Sequence, residues 1–151
     1  VFYGGDYGPD LEEVAAHLGI APAEVVRRHT APVYRVYMIG FTPGYPYMGE
    51  LPADLAIPRR ATPRTKVPKG SVGIAQRQTG IYPVESPGGW QIIGWTPIEL
   101  FDRRRRLSEL LEMGEEVRFD AVRAQERDQQ IETVGRQLRS MMPWLEPVVV
   151  G

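Results

Sequence analysis

At 151 residues the chain is long enough for one domain with its own core, or for one domain plus appendages. Its 18 Lys/Arg and 19 Asp/Glu give a formal charge of -1, and a pI near 6.2 argues against a general nucleic-acid binder. Cysteine is absent, which removes disulfides, thiolate nucleophiles and Cys-ligated zinc; no apolar run approaches a membrane span and no signal peptide is visible, so a cytoplasmic location with no membrane contact is the default expectation.

In chain order, Leu11, Val14, Ala15 and Leu18 recur at helical spacing, with Pro9 near the start and Gly19 just past the end. A second helix is expected over 21–29, with Pro22 in its first turn. Two helices this short must dock on something to be stable. They carry the chain's two histidines, His17 and His29, which lack ligand partners at any recognised spacing and read as structural or exposed. Tyr34-Arg35-Val36-Tyr37-Met38-Ile39 is β-branched and aromatic and predicts a strand.

From Gly40 to Pro97 the chain places nine glycines and nine prolines, which excludes long helices there. Short strands fit between the breakers at 71–75, 80–82 and 90–94, a pattern that suggests a barrel or sandwich. Thr96-Pro97-Ile98-Glu99 has the form of a capping box and predicts a short helix through Leu100 and Phe101. Glu116-Val117-Arg118-Phe119 reads as a closing strand, and 122–142 as a charged helix with Ile131, Val134, Leu138 and Met141 on one stripe. The expected division is a helical lead-in over 1–32, a β domain over 33–120 and a charged helical tail over 121–151.

Between Asp54 and Glu85 there is no acidic residue, while Arg59, Arg60, Arg64, Lys66, Lys69 and Arg77 all fall there. Such a cluster in a near-neutral chain calls for a counter-charge, from an anionic ligand or an acidic partner surface, unless it is a solvated loop. Prolines 58, 63, 68 and 83 stiffen the stretch that carries the cations. No Walker-type phosphate loop and no G-x-S-x-G elbow occurs, and no ligand spacing supports a metal site.

Four phrases are distinctive together. They are Gly40-Phe41-Thr42-Pro43-Gly44-Tyr45-Pro46-Tyr47-Met48-Gly49, the run from Pro58-Arg59-Arg60 to Lys69-Gly70-Ser71-Val72, Gln78-Thr79-Gly80-Ile81-Tyr82-Pro83, and Ser86-Pro87-Gly88-Gly89-Trp90 with Thr96-Pro97 and Leu100-Phe101-Asp102. On these the chain, from about Phe2 to Phe119, resembles the family called allophanate hydrolase subunit 1, or Kip-type kinase inhibitors, and is similar to the B subunit of bacterial ATP-dependent 5-oxoprolinase. The resemblance implies a mainly β fold: a cyclophilin-like β-barrel from about Tyr34 onward, with short N-terminal helices and a C-terminal helix. It also implies an α+β domain ahead of the Tyr3-Gly4-Gly5 phrase that is missing here, so that 1–32 is its remnant or a linker. The chain departs from the family pattern at Gln76-Arg77, where Ala-Gly is usual, at Trp95, where Arg is usual, at Gly114-Glu115, and in the tail after Phe119.

The implied activity is ATP-driven opening of the cyclic amide of 5-oxoproline to glutamate, or cleavage of an allophanate-type amide. It would be performed with a carboxyltransferase-like partner subunit of the allophanate hydrolase subunit 2 type and, in oxoprolinase, a lactam-utilising subunit. ATP and its metal ion would belong to the whole complex. Such a site needs cations for a small anionic substrate and donors for a developing oxyanion. Arg59, Arg60 and Arg64 suit bidentate carboxylate or phosphate contacts, unless they bond loop carbonyls, and Lys66 suits a point-charge contact. Lys69 reads as a turn residue. Gln78, Thr79 and Tyr82 are the candidate neutral donors and Glu85 the candidate base. Tyr45 and Tyr47 are a pocket wall or a core edge, and Trp90 reads as core. The motif block holds no nucleophile–base pair, which favours a site completed by another subunit and a chain inactive alone. Two other readings are a module that inhibits a sensor histidine kinase and, by fold analogy alone, a prolyl isomerase.

Overall fold

The computed structural model describes residues 1–40, 45–100, 111 and 113–122. Phe41, the expected helix at Phe101 and the C-terminal helix lie outside these residues. Helix α1 (Leu11–Leu18) and helix α2 (Pro22–Thr30) form where the spacing places them. Gly19 ends α1 in the left-handed region, φ 70°, and its N–H returns to the carbonyls of Ala15 and Ala16. The two helices bury Leu11, Val14, Ala15, Val25 and His29, so each docks through one face.

Among the described residues there are nine strands: β1 (Phe2–Tyr3), β2 (Tyr34–Ile39), β3 (Pro46–Gly49), β4 (Arg64–Val67), β5 (Ser71–Ala75), β6 (Gln78–Ile81), β7 (Ser86–Gly88), β8 (Gln91–Trp95) and β9 (Glu116–Val117). Seven pair, all antiparallel, in the order β1-β8-β5-β6-β3-β2-β9. Val122 N–H donates to Val1 O at 2.9 Å, so the chain leaving β9 reaches the segment that begins β1 and the sheet is curled on itself. β4 and β7 make a separate two-stranded ribbon.

The fold is mainly β, as expected, and β2 and β5 fall on the anticipated residues. Four strands lie where the sequence pattern shows none: β1, β3, β4 and β7. β6 and β8 sit one or two residues from their expected places, and β9 stops at Val117. Thr96 to Glu99 is irregular rather than helical. Thr96 Oγ1 accepts the Ile98 N–H at 3.3 Å, so the capping contact forms without a helical turn to cap.

Every residue of β5 is buried, which marks the strand covered on both faces. Val72 and Ile74 point into a main core with Val14, Val25, Val36 and Ile93, between the sheet and the helices. Ala75 faces the other way, into a smaller cluster of Tyr45, Val67, Tyr82, Trp90 and Ile92 that the ribbon covers. Close approach of the lead-in to β8 depends on Gly8, since a Cβ there would lie 2.0 Å from the Ile93 carbonyl oxygen.

Candidate functional site

The smaller cluster does not close completely. Between the sheet and the ribbon a cavity of about 310 Å³ remains, walled by Tyr45, Tyr47, Tyr82 and Trp90, by Pro63, Pro87, Gly88 and Gly89 of the ribbon side, and by Arg59 and Arg60. Its rings meet edge to face: Tyr45 and Tyr82 at 5.1 Å and 89°, Tyr45 and Trp90 at 5.8 Å and 87°, Tyr47 and Trp90 at 5.9 Å and 71°. Tyr45 and Tyr47 are therefore both core edge and pocket wall. Burial pushes the Tyr82 phenol above its usual range, and the neighbouring Tyr45 hydroxyl and Trp90 backbone pull it partly back. Burial raises the phenol pKa of Tyr45 and Tyr47 as well, and the charge of Arg59 opposes the rise weakly at all three rings. Gly88 admits Tyr82: a Cβ there would lie 2.3 Å from the Tyr82 hydroxyl.

The acid-free stretch finds most of its counter-charge within the chain. Asp10, buried just ahead of α1, accepts from Arg60 Nη1 at 2.5 Å, from Arg64 Nη1 and Nη2 at 2.6 and 2.7 Å, and from the Ile92 N–H at 2.7 Å. Lys69 pairs with Glu99 at 3.0 Å, and Arg77 with Glu50 at 3.1 Å. Among the described residues Arg59 and Lys66 have no ion-pair partner. Arg59 reaches the cavity, whereas Lys66 points outward from the ribbon. Arg64 lies behind the cavity, beside a second hollow of about 260 Å³ edged by Tyr7, Pro9, Ile92 and Trp95.

Of the expected neutral donors only Tyr82 faces the cavity. Gln78 lies toward Tyr37 and outside the cavity lining. Thr79 is buried: it gives its proton to Gly73 O at 2.9 Å and accepts from His29 Nε2 at 2.9 Å. Glu85 is exposed and away from the cavity lining. His29 also accepts from the Tyr3 hydroxyl at Nδ1, 2.7 Å, and burial lowers its pKa to about 3, so it is neutral and structural. Asp10 escapes a reading of the sequence because Pro9-Asp10 before a helix looks like a cap. In the structure its side chain makes no capping bond. Among the described residues no three His, Asp or Glu side chains are grouped to hold a metal ion, and no helix is long and apolar enough to cross a membrane.

The family described as carboxyltransferase domain, subdomain C and D, matches residues 1–111, and the chain belongs to it. The 5-oxoprolinase B subunit of Haemophilus influenzae is 54% identical over 119 residues, covering 79% of this chain and 56% of that protein. The protein of the same name from Bacillus subtilis is 50% identical over 128 residues, covering 85% of this chain and 52% of its own. Among solved structures, a conserved uncharacterized protein from Pyrococcus horikoshii is 45% identical with a TM-score of 0.80, covering 83% of this chain and 58% of that one. The urea carboxylase of Kluyveromyces lactis shares the fold alone, at 23% identity and a TM-score of 0.67 over 81% of this chain and 12% of that one. The chain spans about half the length of the curated relatives it matches.

Proposed function

We propose that this chain supplies the carboxyltransferase C/D part of the B-type subunit in a multi-component, ATP-dependent 5-oxoprolinase. It works in the cytoplasm with a carboxyltransferase-like partner and a lactam-utilising subunit. The observation that carries this reading is the 54% identity to a protein of that name over 119 residues. The cavity supports it chemically. Its volume suits a small ring rather than a polymer, and its walls are aromatic with few polar groups. Arg59 offers an open guanidinium fork to a carboxylate. Tyr82 offers a proton to a carbonyl oxygen as negative charge develops there. Tyr47 and Trp90 supply apolar faces for the ring.

ATP would supply the activation of the lactam oxygen. The cavity's own donors, one open fork and one phenol, fit a small monoanion better than a triphosphate, so its phosphates are assigned to another part of the complex. Among the described residues no nucleophile–base pair lines the cavity, in keeping with a centre shared between subunits.

The test is reconstitution. The chain is expected to release no glutamate from 5-oxoproline and ATP alone, and to do so once the two partner subunits are added. Arg59→Ala should raise KM at least tenfold, and Tyr82→Phe should lower kcat more than it changes KM. Release of ammonia from allophanate, but no glutamate from 5-oxoproline, would reassign the substrate. Full activity of the Arg59→Ala, Tyr82→Phe double variant would remove the cavity from the reaction.

A further inference from the structure

The two arginines that line the cavity, Arg59 and Arg60, and Arg64 behind it are not equivalent. Arg64 spends both Nη atoms on Asp10. Arg60 spends Nη1 on Asp10, and its Nε is shut away from solvent without a partner. Glu13 approaches Arg60 Nη1 to 4.0 Å and takes up part of the charge that remains. Among the described residues, Arg59 is thus the arginine at the cavity that no carboxylate engages. A single guanidinium fork fits either a carboxylate or a phosphate, but its one charge balances a monoanion, whereas a phosphoryl dianion calls for a second converging cation. The carboxylate that enforces this inequality comes from outside the basic stretch. It is also tied by its own backbone, because Asp10 N–H donates to Ile92 O at 2.9 Å and the Ile92 N–H returns to Oδ2.

We infer that Asp10 is the positioning and specificity-determining residue of the cavity: by tying up Arg60 and Arg64 it leaves Arg59 alone to receive a ligand, and so selects a monoanionic carboxylate over a phosphorylated one. Asp10 does not touch the ligand. It acts through Arg60, whose backbone N–H also anchors the loop to Gly89 O at 2.7 Å on the cavity wall. This inference rests on the reading of the cavity as a carboxylate site, and it makes a claim that turnover alone does not test.

The experiment measures binding on the full chain by ligand-detected NMR, with 5-oxoproline and inorganic phosphate as separate probes. The unaltered chain is expected to bind 5-oxoproline and not phosphate. Asp10→Asn keeps the size of the side chain but releases the two guanidiniums. It should weaken 5-oxoproline at least tenfold and create phosphate binding, a gain that mere loosening of the fold would not produce. Asp10→Glu, which restores the charge, should return the original preference in part. Should Asp10→Asn fail to fold, Arg60→Lys retains the charge and one contact to Asp10, and is expected to weaken 5-oxoproline about fivefold. Phosphate binding by the unaltered chain, its failure to bind 5-oxoproline, the same preference in a folded Asp10→Asn, or unchanged affinity in Arg60→Lys would each overturn the inference. The two claims fail separately. Turnover by the reconstituted complex without the switch in preference removes the role of Asp10 only, and the switch without turnover removes the oxoprolinase reading only.

Discussion

Two buried polar junctions fasten the N-terminal segment to the sheet, and they differ in what they leave over. At the first, Tyr3 donates to His29, His29 to Thr79, and Thr79 to the Gly73 carbonyl. This row of bonds is neutral and ends on a backbone acceptor, so no donor remains in it for a ligand. At the second, Asp10 gathers two arginines and a backbone N–H, and the arrangement ends beside a cavity with Arg59 open. Both are satisfied enough to survive burial. Only the charged one borders the cavity, through Arg60. The candidate catalytic threonine thus belongs to the closed junction, while the aspartate that reads as a helix cap belongs to the open one.

The largest test of the contrast is to empty each junction in turn. Asp10→Ala leaves two guanidiniums facing a buried, uncompensated site and is expected to cost about 3–5 kcal/mol, read as a shift in the urea midpoint. The neutral junction should instead show itself through acid. The folded pKa of His29, about 3, lies below its ordinary 6.5, so the unfolded chain binds the extra proton between those values. Its contribution is complete above pH 6.5 and is lost as the pH falls toward 3, amounting to roughly 5 kcal/mol. Urea titrations from pH 7 to pH 3 should show this slope, and His29→Gln should flatten it even though the variant starts less stable. A smaller effect is expected from Gly88→Ala. The added methyl strikes the Tyr82 hydroxyl, costing about 1–3 kcal/mol and narrowing the cavity, so bound 5-oxoproline should weaken along with thermal stability. The smallest is Arg59→Ala, which should leave the midpoint within about 0.5 kcal/mol because no partner is stranded, while ligand binding is lost. A large loss of stability there would show that Arg59 is tied into the fold like its two neighbours.

How much of this was legible in the sequence follows the range of the contacts. α1, β2 and β5 carry their pattern within a few residues, and all three form where read. β3, β4 and β7 open on or contain glycine, proline or charge, and exist because neighbours pair with them. β7 tolerates Pro87 because its ribbon is only two strands wide, so the proline sits on an edge strand. At the site, Tyr82 and Arg59 were visible as residue types beside turn-forming phrases. The sorting of three adjacent-looking arginines into one open and two closed was not, since a carboxylate 50 and 54 positions away performs it. The preference of Thr79 for His29 spans the same distance, 50 positions.

The close docking of Gly8 against Ile93, and the bond from Ile92 to Asp10 across 82 positions, set an order on the chain's assembly. During synthesis the segment before α1 emerges ahead of β8 and has no seat until β8 has left the ribosome. The arginines of the ribbon appear midway and wait without their carboxylate. A chain that must close so long a loop before its charges are matched folds late and slowly by topology. While those cations are still unmatched, the partly folded chain exposes surface that a chaperone would cover.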